Sequence, residues 1–280
     1  MSTTRASAAA MLAPATIVVV LVLALPLVLL LRYSLNHFEP GQFMVEALTL
    51  ENYAKLVSDP YYLGVLRTTV LMALAVTAAC LALGFPLALA IARAEPRLKA
   101  VLIVLVVVPL FVGNAVRAAG WMVAFGQKGL VNAVLESVGL SPATIMYTPL
   151  AVFIGIISVN LPFVVLTLQS VIEGIDRALG DAAASLGATP FATWRLVTVP
   201  LALPGLLAAG ALSFILTMNA YATPLLLGGP RFQMMGPTLA NEILAQANWP
   251  FGASLAFVLI AFTLASTALA NILIARTVVR

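Results

Sequence analysis

A handful of polar residues interrupts otherwise apolar stretches, and their chemistry is that of binding rather than bond-making. Asn114, Arg117 and Trp121 are three and four positions apart, so on a helix they share one face. Arg117 is the one formal charge well inside such a stretch. Its guanidinium suits a carboxylate or phosphonate on a solute; it equally suits snorkelling to an interface or bonding to a neighbouring helix. Asn160, Phe163 and Thr167 mark one face of a second stretch beside Pro162, read either as a lined path or as hydrogen bonding between helices. Thr217, Asn219 and Tyr221 cluster where a third apolar run ends before Pro224. A broken helix end there would present polar groups to a solute; the alternative is an ordinary terminus with an interfacial tyrosine.

Nothing in the chain offers a reaction centre. It contains no G-x-x-x-x-G-K-[ST], so it is not itself an ATPase, and neither H-E-x-x-H nor G-x-S-x-G. His37, the sole histidine, falls in a loop and reads as a surface residue. Cys80, the sole cysteine, sits in an apolar run, which rules out an internal disulfide or a cysteine-rich metal site. No catalytic residue, no metal and no enzymatic activity are therefore expected. Acidic residues are absent from the deep apolar stretches, so a polycation would have to find carboxylates or aromatic faces elsewhere.

The elements that position these residues follow from composition. Of 280 residues, 62% are hydrophobic and 9% charged, with a mean hydropathy of +1.10. Soluble domains carry roughly 25% charged residues, so the solvent here is lipid, which admits helices or a closed barrel. Long unbroken apolar runs, rather than alternating segments of about ten residues, select helices. The expectation is an all-α polytopic membrane protein with one domain, 1–280, and a core over 66–276. Six segments are long enough to span: Ala10 to Leu31, Val70 to Ala92, Ala100 to Phe125, Pro149 to Ile172, Val199 to Met218 and Phe251 to Ala275. The first has the basic flank of a signal peptide in Arg5, but its run is long and no clear A-x-A site follows, so it is read as an uncleaved helix.

The net charge of +4 reports topology more than nucleic-acid binding. With the N-terminus inside, eight basic residues lie in inner segments (Arg5, Arg93, Arg97, Lys99, Arg177, Arg195, Arg276, Arg280) against five outside (Arg32, Lys55, Arg67, Lys128, Arg231). The excess places both termini in the cytoplasm.

The large inner segment, 173–198, carries the strongest pattern. Ile175, Leu179, Ala182, Ala183 and Leu186 recur at helical spacing between Glu173, Asp176, Arg177 and Asp181, a short amphipathic helix. Gly187 ends it with a positive φ. Thr189-Pro190 reads as the N-cap and first position of a second short helix bearing Phe191, Trp194 and Leu196. Val199-Pro200 and Pro204 then open the next span. Two short helices joined by a bend form a rigid knob, and Ala182 to Ala184 allow a partner to approach closely.

This segment resembles the EAA-x3-G-x9-I-x-LP motif of ABC importer permeases. Here it stands as Asp181-Ala182-Ala183, three residues, Gly187, nine residues, then Val197-Thr198-Val199-Pro200, with Asp for Glu, Val for Ile and Val for Leu. Leu50-Glu51-Asn52-Tyr53, the run from Thr223 to Pro230 and the run from Asn248 to Gly252 are similar to the spermidine/putrescine-type branch. The resemblance implies a type I importer permease fold of six spans with a cytoplasmic coupling helix, in the bacterial inner membrane. It implies that 173–198 docks on an ATPase present in two copies, which binds ATP and Mg in place of any cofactor in this chain. It further implies a second permease subunit of different sequence, a periplasmic solute-binding protein, and a small polar cargo: a polyamine, opine, amino-acid-like or aminophosphonate compound. The rival reading is an ion-gradient-driven secondary transporter. Such proteins place ionisable residues within their helices, where this chain has Arg117, and the coupling segment would have no role. A purely structural membrane subunit is the third reading, and it predicts no solute-dependent ATP hydrolysis.

Overall fold

The computed structural model describes residues 2–42 and 44–278; side chains are described except at 2–11, 15, 270, 271 and 273–278. The side chains of Arg5 and Arg276, and all of Arg280, from the topology count thus lie outside the described residues. Among the described residues thirteen α-helices follow in order: α1 (Ser2–Ser34), α2 (Glu51–Ser58), α3 (Pro60–Arg93), α4 (Pro96–Val107), α5 (Asn114–Phe125), α6 (Leu130–Ser137), α7 (Pro149–Glu173), α8 (Arg177–Ser185), α9 (Pro190–Thr193), α10 (Val199–Met218), α11 (Ala222–Gly228), α12 (Met235–Leu244) and α13 (Trp249–Val278). Among the described residues the extended pairing is a single antiparallel bridge, His37 to Val45. The chain is all-α, as its composition demands.

Among the described residues five helical runs are long and apolar enough to cross a membrane, and a bent pair makes six if it is one span. That pair corrects the expected third span. Ala100 to Phe125 is not one helix: α4 passes into a 3-10 turn, Val108–Phe111, and then breaks, with α5 leaving after a bend of 96°. Pro109 brings no N–H to the turn, and Val112 and Gly113 adopt extended backbone ahead of α5. Pro162, by contrast, leaves α7 continuous over 25 residues.

Two compact units divide the chain, one comprising 1–63 and 239–261 and the other 64–238 and 262–280. In the first, the residues after α1 are tied by side chains. Asn52 donates to the carbonyls of Ser34 (2.9 Å) and Asn36 (2.8 Å), and Arg32 donates to the carbonyl of Ala47 (3.0 Å). Tyr62 donates to Glu242 (2.9 Å) and packs edge-on against Phe251, over which the Lys55 ammonium sits at 4.3 Å. His37 is exposed beside Glu51.

The second unit is built around α7, whose face from Ala151 through Leu168 is buried. Lipid tails are as apolar as these side chains, so close packing and hydrogen bonds must hold the helices together. Small residues permit it. A Cβ at Gly205 of α10 would lie 2.8 Å from Val171, and one at Gly155 would lie 2.6 Å from both Leu227 and Thr223 of α11.

Candidate functional site

The segment 173–198 folds by local signals. Asp176 caps α8, its carboxylate accepting from the Ala178 N–H (2.9 Å). The helix thus starts later than the apolar spacing suggests, and Ile175 precedes it. At its far end Gly187 takes φ +82°, its N–H donating to the Ala184 carbonyl (2.9 Å) while that of Ala188 donates to Ala183 (3.0 Å). This double closure satisfies carbonyls that a helix end leaves open. Thr189 accepts from the Ala192 N–H (3.2 Å), with Pro190 in the first turn. The second short helix does not stop before the next span. It continues through a π turn, Trp194–Thr198, straight into α10. Pro200 has no N–H to return to Leu196, and the wider turn absorbs that missing bond.

Asp181, Ala182, Gly187, Thr189, Pro190 and Pro200 are exposed and Ala183 is half-buried. No residue of α8 is buried. Leu186 is 89% exposed, Leu196 71% and Phe191 65%. The capped turns thus leave several large apolar side chains uncovered.

Inside the spans the polar residues find each other. Arg117 on α5 donates to the carbonyls of Pro109, which also accepts from the Val112 N–H (3.2 Å), and Val112 (3.1 Å) at the break, and to that of Ser158 on α7 (3.3 Å). Non-helical backbone at membrane depth leaves carbonyls that lipid cannot serve, and the guanidinium serves them. Trp121 donates to the Ser158 hydroxyl (2.9 Å) and stacks on Phe125. Asn160, 1% exposed, donates to Thr217 Oγ1 (2.8 Å) and the Ser213 carbonyl (3.1 Å), joining α7 to α10. Asn114, Asn219 and Tyr221 remain exposed, on the first turn of α5 and at the α10–α11 corner. Asn219 folds its amide onto the Ile215 carbonyl (2.9 Å).

The candidates therefore separate. Arg117 and Trp121 converge on Ser158, Asn160 and Thr217 converge on Ser213, and three residues face outward. Ser158 and Ser213 are the partners that sequence reasoning missed; each is a hydroxyl inside an apolar run, a signal as visible as Asn160.

A family model described as the binding-protein-dependent transport system inner membrane component matches residues 84–279. The chain belongs to this family. Its similarity to the spermidine/putrescine transport system permease protein PotB of Escherichia coli (strain K12) is 34% identity over 232 residues, 82% of this chain and 84% of the relative. The molybdenum transport system permease protein ModB of Mycobacterium bovis is 34% identical over 191 residues, covering 68% of this chain and 71% of that one. A chain of the solved bacterial alginate ABC transporter, in complex with alginate pentasaccharide-bound periplasmic protein, superposes with a TM-score of 0.75 at 18% identity, covering 94% of this chain and 91% of its own. The MetNI methionine ABC transporter, in inward-facing form, gives 0.59 over 78% of this chain and 99% of its own. This binding-protein-dependent component is thus a permease subunit of an ABC importer, a multi-pass protein of the inner membrane.

Proposed function

We propose that this permease moves a small polar solute (a polyamine, opine, amino-acid-like or aminophosphonate compound) and that segment 173–198 is where a separate ATPase drives it. The observation that carries the reading is the capped knob: Asp181 to Gly187 close in two defined hydrogen bonds and leave Leu186 and Phe191 exposed. A rigid apolar projection transmits displacement, whereas a flexible loop would dissipate it. In this reading both termini and the knob are cytoplasmic, and two ATPase copies bind ATP and Mg below. A second permease of different sequence completes the path, and a periplasmic binding protein delivers the solute. The chain acts as a single permease domain, 1–280, with its core at 66–276, and carries no chemistry of its own. Asn114, Asn219 and Tyr221, exposed on α5 and at the α10–α11 corner, are the residues we assign to the solute path.

The test is affinity purification of the tagged chain from native membranes. An ATPase should accompany it and be lost when residues 181–187 are replaced. Relatives named for spermidine and putrescine transport make those two solutes the first to add when binding-protein-stimulated ATP hydrolysis is measured. A chain that purifies alone and moves solute without ATP would overturn the reading.

A further inference from the structure

The coupling segment touches the core only at its ends, where Ile175 packs against it and Trp194 meets Phe85. None of the residues of α8 or α9 is buried, and a cavity of about 940 Å³ separates the segment from the short loop 93–99. Side chains bridge that gap at its edges. At the entry to the segment, Lys99 pairs with Glu173, and Arg177 donates to the Ala92 carbonyl (3.2 Å). At its exit, Arg93 donates to Thr198 Oγ1 (3.5 Å). Both ends are thus tied to one place, the turn between α3 and α4.

Resting on the importer reading above, we propose that loop 93–99 is a second transmission element, carried by the coupling segment as one body, and that Lys99 and Glu173 are the positioning residues that lock the two together. A displacement applied to the knob has few routes into the spans. One runs directly through the π turn into α10. The other crosses to α3 and α4, through these edge contacts and through Trp194, whose ring meets Phe85 of α3 edge-on. Through Lys99 the motion enters α4, which leads to the break before α5. The ion pair is suited to registering position rather than to holding the fold: Lys99 and Glu173 side chains are 23% and 46% exposed, and pairs in that range contribute little to stability. A charge reversal should therefore leave the chain inserted and assembled while freeing the loop from the knob.

The experiment uses the full importer purified with its ATPase, in a Cys80→Ala background carrying spin labels at Arg97→Cys and Arg195→Cys, both exposed positions. The label-to-label distance is read by pulsed electron resonance without nucleotide and after trapping with ATP and vanadate. For the native pair the distance should be the same in both states. Lys99→Glu should broaden the distribution and make it state-dependent, and Lys99→Glu with Glu173→Lys should restore the native result, as should Lys99→Arg alone. A native distance that changes on trapping would overturn the proposal. So would a double reversal that fails to restore the distance in complexes that still contain the ATPase. Loss of the ATPase from the native complex itself would instead count against the importer reading.

Discussion

The coupling segment and the broken span hold their shapes by opposite means. Segment 173–198 is specified by neighbours in sequence: Asp176 bonds two residues on, Thr189 three on, and Gly187 and Ala188 close turns begun at Ala184 and Ala183. The break at 108–113 is specified at a distance, because Arg117 reaches Pro109, Val112 and, on another helix, Ser158. In the first, no residue of α8 or α9 is buried; the second belongs to a pair of helices apolar enough to span a membrane, where lipid leaves an open carbonyl unserved. Damage to the first should therefore cost function and spare the fold. Damage to the second should cost the fold first.

The largest effect expected is at Gly187. Proline fixes φ near −65° and has no N–H, whereas this position needs φ +82° and donates to Ala184. Gly187→Pro should abolish uptake and ATPase recovery while membrane insertion, assayed by reporter fusions at the loops, stays normal. A glutamate at half-buried Ala183 should act the same way. Wild-type uptake in either variant would remove the docking role and, with it, the contrast between the two regions.

That same contrast explains what could be read from the sequence. Caps are short-range devices with distinctive residues, so Gly187, Thr189 and Pro190 announce themselves. The all-helical class is equally plain, because apolar runs of this length admit little else. The break before α5 was hidden: Pro109 and Gly113 sit in the run, but Pro162 sits in another and leaves α7 intact. Whether a proline breaks a span depends on whether some group can take up the carbonyls released, and Arg117 takes up those of Pro109, Val112 and Ser158 together only once α5 and α7 are packed. The continuation of α9 into α10 was missed for a related reason, since Pro200 signals a start locally but is absorbed by a π turn, and Pro204 lies inside α10.

Next in size is Arg117→Met, which keeps the aliphatic stem and removes every donor. An acceptor left without a partner costs about 1–3 kcal/mol, and the Val112 and Ser158 carbonyls lose the guanidinium here, while that of Pro109 keeps the Val112 N–H. The thermal midpoint of the detergent-solubilised chain should fall clearly, with ATPase recovery retained from the chain that remains folded. Arg117→Lys, a single point donor, should fall between. An unchanged midpoint with lost uptake would move Arg117 from scaffold to solute path. Smaller still is Thr189→Ala, which deletes a cap worth about 1 kcal/mol. Since Thr189 lies in the exposed knob, we expect reduced transport per ATP hydrolysed and no change in the thermal midpoint.

The smallest effect is the most discriminating. Asn160 and Thr217 bond within a buried cluster that also takes in Ser213. Hydrogen bonds between helices in a bilayer contribute on average about 0.6 kcal/mol by double-mutant cycles, with a maximum near 1.7, because each partner finds a substitute when the helices part. A cycle of Asn160→Leu and Thr217→Val, read as unfolding free energy in mixed micelles, should return a coupling in that range. In either single variant the remaining side chain keeps the Ser213 carbonyl, to which both Asn160 and Thr217 donate, so each single should cost little. The bond between them, lost in both singles, is lost only once in the double variant, which should be less damaged than the sum of the singles. A coupling near zero, with solute affinity altered in both singles, would mean that Asn160 and Thr217 face the transported molecule instead of each other.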